Sequence, residues 1–175
     1  MEEETLSQGT VDSAGNAVIP EGTKRIDDEA FISMDSLVSA VIPEGVTEIG
    51  DGAFMGCDSL SSVTLPNSLR KIGGGAFSSC DSLVSVVIPE GVTEIGSCAF
   101  EECSSLASVS LPKTIELIDE EAFYGCHLLS KITYSGTAAQ WEHVDLRSEW
   151  RMGVPAKYAH CADSTAYLYD DAELY

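Results

Sequence analysis

The chain has 175 residues, 44% of them hydrophobic, and its 29 acidic and 9 basic side chains give a net charge of −20. That length suits one domain with a real core, and the apolar content excludes a chain disordered throughout. The charge repels phosphate backbones and anionic lipid, so no nucleic-acid partner and no membrane insertion is expected; no apolar run approaches the ~20 residues of a span.

Residues 1–14 open MEEETLSQGT and lack the basic and apolar regions of a secretory leader. They read as an N-terminal cap or flexible segment. From residue 15 to residue 134 one motif recurs five times, followed by a last strand. Apolar-proline pairs stand at Ile19-Pro20, Ile42-Pro43, Leu65-Pro66, Ile88-Pro89 and Leu111-Pro112, each 23 residues after the one before. Phe31, Phe54, Phe77, Phe100 and Phe123 keep that step, as do Ile26, Ile49, Ile72, Ile95 and Ile118. Leu37, Leu60, Leu83, Leu106 and Leu129 form a third column, and Cys57, Cys80, Cys103 and Cys126 a fourth. Residues 35–50 and 81–96 differ only at Ala40 versus Val86, the mark of a duplicated two-repeat unit.

Within the unit from Leu60 to Cys80, alternation predicts a short strand with Val63 and Leu65 inward and Ser62 and Thr64 outward. Pro66 ends it, because proline gives no N–H to a ladder. Leu69 and Ile72 return to the core, the glycines after Ile72 open a turn, and Ala76-Phe77 with Cys80 and Leu83 fit a short helical turn. No 23-residue unit can bury these positions alone; stacked coils can. The expected fold is a solenoid with a parallel sheet on one side, turns and short helical segments on the other, and a C-terminal cap.

The cap is placed at residues 135–163. Thr137-Ala138-Ala139-Gln140 is a capping box and predicts a helix through about Leu146. At a 23-residue step Trp141 falls in the isoleucine column and Leu146 in the phenylalanine column, with Trp150, Val154 and Tyr158 completing the lid. Residues 164–175 read as an acidic tail, flexible or pairing with a sheet edge.

The repeated L-x-x-[LV]-x-[LI]-P-x-x-[LV]-x-x-I-G-x-x-A-F-x-x-C pattern resembles the BspA-like, or treponemal-type, leucine-rich repeat over roughly residues 15–135. YSGTAAQWEHV (134–144) and His160-Cys161-Ala162-Asp163 are similar to the cap that often ends such arrays. Met34 stands where later repeats have cysteine, and Asp119 where Gly50, Gly73 and Gly96 stand. The resemblance implies a right-handed leucine-rich-repeat solenoid of mixed strand and short helix, with a single parallel sheet on the concave face, turns and short helical segments on the convex side and a C-terminal cap: an arc-shaped domain of bacterial surface or secreted proteins, of adhesion type, that binds protein or glycan and carries no catalytic residues. It points to the cell surface or the exterior; were Met1 the native start, the absence of a leader would point to the cytoplasm.

Residue chemistry offers few alternatives. No CxxC pair exists and His127, His143 and His160 show no ligand spacing, so neither zinc nor another metal site is expected. The column cysteines read as small buried hydrophobes, unable to pair because stacked side chains hold their Cβ atoms too far apart. The acidic runs read as a solvated outer face, without a calcium-loop pattern. No nucleophile, phosphate-loop or dinucleotide motif occurs, so no enzyme and no cofactor is expected.

The candidate partner-facing positions are the outward strand residues Ser39, Val41, Ser62, Thr64, Ser85, Val87, Ser108, Ser110, Lys131 and Thr133. They are small, nearly uncharged and without aromatics. The chain therefore reads as a monomeric, non-catalytic module that binds a protein, or alternatively a glycan, through its concave or edge surface. The other reading is a structural spacer without a ligand, favoured by the blandness of those columns.

Overall fold

The structure is a computed structural model that describes residues 5–168. Each coil runs through two short strands and a turn, and all three bond to the next coil. The outward-facing ladder begins with a bridge from Asn16 to Ser39 and pairs Ser39–Val41 with Ser62–Thr64. It resumes as Ser85–Val87, Ser108–Leu111, Lys131–Tyr134 and Tyr158–His160, all parallel, and closes with antiparallel Thr165–Tyr167. Burial alternates as the pattern predicts: Ala40, Val86, Val109 and Ile132 are buried between exposed or half-exposed neighbours.

The structure adds a second parallel ladder of two-residue strands. Thr5–Leu6, Arg25–Ile26, Glu48–Ile49, Lys71–Ile72, Glu94–Ile95, Leu117–Ile118 and Asp145–Leu146 lie side by side, with the isoleucine column in register. Between the ladders the proline makes a corner: the Leu69 N–H donates to the Pro66 carbonyl at 3.1 Å, and Leu69 drops into the core.

The segments around Ala76-Phe77 are turns rather than helix. The Ala76 and Ser78 N–H groups make local bonds to Gly73 and Gly75, while the Phe77 N–H donates to Ala99 of the next coil at 2.8 Å. Left-handed residues at Gly75 (φ 61) and Ser79 (φ 57) break helical continuation. An α-helix would keep these N–H groups for itself; a flat coil spends alternate ones on its neighbour. Coils approach so closely here that a Cβ on Gly73 would lie 2.7 Å from the Gly50 carbonyl carbon, which explains the glycine column.

The phenylalanine rings stack face to face from Phe31 to Phe123, with centroids 4.8 to 5.3 Å apart. Beside them the column thiols are free and buried, and do more than fill space. Each donates to the phenylalanine carbonyl 26 residues earlier, as Cys57 to Phe31 at 3.0 Å and Cys103 to Phe77 at 3.1 Å. In each of the four coils with a column cysteine, the thiol thus adds a second bond to a buried carbonyl that already accepts a local N–H. The first coil has no phenylalanine before it, and there Met34 replaces cysteine.

The cap departs from the expected register. The capping box forms, with Gln140 N–H donating to Thr137 Oγ1 at 3.2 Å and Thr137 N–H to Gln140 Oε1 at 2.9 Å. The helix spans only Ala138–Trp141. Asp145–Leu146 then pairs with Leu117–Ile118, a step of 28 residues instead of 23. Leu146, not Trp141, therefore continues the isoleucine column. Trp150, not Leu146, continues the phenylalanine column, meeting Phe123 edge-on at 6.2 Å. Helical residues cannot supply inter-coil bonds, so the chain must leave the helix before it can cover the ladder. Trp141 is buried against Tyr134 and Trp150. Val154 is buried, but Tyr158 faces outward, 48% exposed. Beyond residue 163, Thr165–Tyr167 pairs with Tyr158–His160 and Leu168 is buried, its carbonyl accepting from the buried Arg151 guanidinium. The remainder of the acidic tail, residues 169–175, lies outside the described residues.

Candidate functional site

The strand pairing that stacks the core also aligns the outward residues. Ser39 lies opposite Ser62 and Val41 opposite Thr64; Ser85, Ser108 and Lys131 are in register, as are Val87, Ser110 and Thr133. All ten expected positions therefore share one surface. Val41 and Val87 are each 66% exposed. Hydroxyl groups link neighbouring coils along it, Ser39 to the Asn16 side chain at 2.7 Å and Thr133 to Ser110 at 2.9 Å. The adjoining column, Val38, Ser61, Val84, Ala107 and Ser130, is equally free of acids.

The register of the closing coil extends this surface beyond its predicted end. Ile132 pairs with Ala159 and Thr133 with His160, which places Tyr158 beside Lys131. Ala156 N–H bonds the Leu129 carbonyl, so Lys157 continues from Ser130. Tyr158 packs edge-on against Tyr167, with centroids 5.3 Å apart. A face predicted to lack aromatics thus ends in one. The signal lay in the matching apolar centres of Lys131-Ile132-Thr133 and Tyr158-Ala159-His160, 27 residues apart, which a strict 23-residue step passes over.

The acids lie elsewhere and many are structural. Asp28 Oδ1 accepts from Asp51 N–H at 3.0 Å, and Asp51 Oδ1 from Gly74 N–H at 2.8 Å, so these carboxylates bond one coil to the next. The Asn67 N–H holds the Glu44 carboxyl below its usual range. Among the described residues, Cys98, Glu101 and Glu121 are the only potential metal-ligand cluster, their ligand atoms within 4.8 Å of one another and all half-buried. Burial, then the charges of Glu101 and Glu121, raise the Cys98 thiol above its ordinary range. Burial also raises the thiols of Cys57, to about 11, and of Cys80. On the cap, Lys113, Ile115, Tyr134, Gln140 and His143 line an open hollow of about 410 Å³. Among the described residues no helix is long and apolar enough to cross a membrane.

A family model described as the BspA type leucine-rich repeat region matches residues 16–143 in six copies. Among solved structures, the chain is similar to a leucine-rich cell surface protein of Faecalibacterium prausnitzii, with 37% identity and a TM-score of 0.72 over 77% of this chain. It is also similar to a leucine-rich repeat protein of Eubacterium ventriosum, with 27% identity and a TM-score of 0.70 over 79% of this chain. The match covers 35% and 36% of those two proteins, so this chain corresponds to about a third of each. A T. pallidum leucine-rich repeat protein shares 30% identity at a TM-score of 0.51, over 74% of this chain and 78% of that one. No curated protein matches the sequence.

Proposed function

Because the chain belongs to the BspA-type leucine-rich repeat family, we propose that it is a non-catalytic binding module of a bacterial surface-type protein and that it engages a protein partner through the outward ladder face. One observation carries the reading. In a chain of net charge −20, the stacked outward columns from Asn16 to Thr133 contain no acid, and they expose Val41 and Val87. Keeping 29 acids off one continuous surface leaves it able to desolvate at low cost, the property an interface core needs. The small side chains leave the backbone ladder approachable along its length.

The test is a double substitution, Ser62→Arg with Ser85→Arg, at exposed positions where the fold tolerates bulk. Saturable capture of a protein from a bacterial or host surface extract by the parent chain, lost in the variant, supports the module. Capture that is equal in both, or absent from both at high protein concentration, overturns it in favour of a spacer.

A further inference from the structure

We propose that the ladder face has its affinity anchor at its C-terminal end, on Lys131, Lys157, Tyr158 and His160, and that this anchor takes a carboxylate-rich segment of a protein partner. The proposal rests on the binding-module reading and names where that module holds its partner.

Three observations converge. First, these residues are brought together only by the closing coil. Tyr158 sits beside Lys131 through the Ile132–Ala159 pairing, His160 beside Thr133, and Lys157 beside Ser130. All four side chains are exposed. Second, Tyr158 is 48% exposed, yet its ring is braced at 73° against Tyr167. A tyrosine already held in place loses little freedom on binding, which is why such residues dominate interface energetics. The rest of the face offers only asparagine, serine, threonine, alanine and valine, with no aromatic, so this is where a hot spot can form.

Third, the charge is complementary. Arg25 is engaged by Asp27, Asp28 and Glu48, Lys71 by Glu94 and Arg147 by Asp145. Lys131 and Lys157 make no ion pair among the described residues, and no acid occupies their columns. A carboxylate arriving there gains charge-assisted bonds without displacing an ion-pair partner among the described residues. The chain's net −20 acts at longer range and is screened over about 8 Å at physiological ionic strength. Hydroxyls of Ser108, Ser110 and Thr133 continue the surface as hydrogen-bonding groups for the backbone of an extended segment.

The full chain, labelled with nitrogen-15, is titrated with three probes: the octapeptide (Glu-Val)4, its counterpart (Lys-Val)4, and hexagalacturonate. The acidic peptide should shift the amides of Lys131, Lys157, Tyr158 and His160. Lys131→Glu should weaken its binding at least tenfold, and Tyr158→Ser should weaken it comparably, while Lys113→Glu, an exposed lysine off this face, leaves it unchanged. Equal weakening by Lys113→Glu and Lys131→Glu, or shifts clustered elsewhere, overturns the site. Shifts with hexagalacturonate alone reassign the anchor to a sugar. Binding that appears only after residues 169–175 are removed reassigns it to the chain's own Asp170-Asp171-Ala172-Glu173 end. If Ser62→Arg with Ser85→Arg abolishes partner capture from an extract but Lys131→Glu does not, the module reading survives and the anchor fails.

Discussion

The repeated coils and the closing coil solve the same problem differently. From Phe31 to Phe123 each ring lies within 8° of parallel to the next, one coil away. At the end, Phe123 meets Trp150 at 79°. Parallel stacking presents a fresh ring face to whatever follows, so it propagates an array. An edge-on indole covers the last face and presents no equivalent one, and Trp141, itself packed on Tyr134, lies against that indole. The first coil uses a third solution. Gly9 donates its N–H to the Ala30 carbonyl at 2.7 Å, and a Cβ there would collide with the Phe31 ring. A bare backbone thus closes one end and bulky aromatics the other, and Phe31 is fully buried although only one ring stacks on it.

The severest test of this contrast removes the closing coil. A chain ending at Thr133 exposes the apolar cross-section of the Phe123 coil, so it should aggregate or lose its cooperative melt in calorimetry and sedimentation. A soluble, monomeric, cooperatively melting 1–133 fragment would mean that the coils need no lid. A smaller effect distinguishes the middle from the N-terminal end. Phe77→Ala should cost about 3–5 kcal/mol in denaturant unfolding. Phe31→Ala should cost about 1 kcal/mol less, because it loses one stacking contact instead of two while burial is equal. A Phe31→Ala loss near zero would show that Gly9 does not close that end.

The smallest effect probes the thiols, whose column belongs to the repeated coils. Cys57 is neutral in the fold until pH rises to about 11, while the unfolded thiol ionises near its ordinary value of 9.0. Between those values the unfolded chain binds fewer protons, so stability is complete below about pH 9 and falls as pH rises toward 11. One unit above the unfolded value, each such thiol should cost about 1 kcal/mol. The loss between pH 8 and pH 10 should therefore be about 1 kcal/mol smaller in Cys57→Ala than in the parent chain. An identical loss in the two would remove that thiol from the alkaline response.

Much of the solenoid can be read directly from the chain because its cause is periodic. A column such as Ile26 to Ile118 or Phe31 to Phe123 needs only equal spacing and one apolar residue per turn, and both are visible without coordinates. The ten outward positions follow from the same alternation. The second ladder was harder to see, since two-residue strands such as Lys71–Ile72 are too short to show a period of two. The turn at Ala76-Phe77 carries helical spacing in its side chains, but its N–H groups bond to another coil, and hydrogen-bond partners leave no trace in spacing.

The closing coil marks the limit. The capping box at Thr137 was evident, because it is a local exchange between residues three apart. How far the helix ran was not, because its end is set by the need of Leu117–Ile118 for a strand partner. That competition shifted the register by several residues, seated Trp150 rather than Leu146 on Phe123, and turned Tyr158 outward beside Lys131. Local sequence determined the repeat, its core columns and the start of the cap. Tertiary structure alone decided which residues close the array and which side chains the closing coil turns outward, since an inserted helix changes the register and only inter-coil hydrogen bonding restores it.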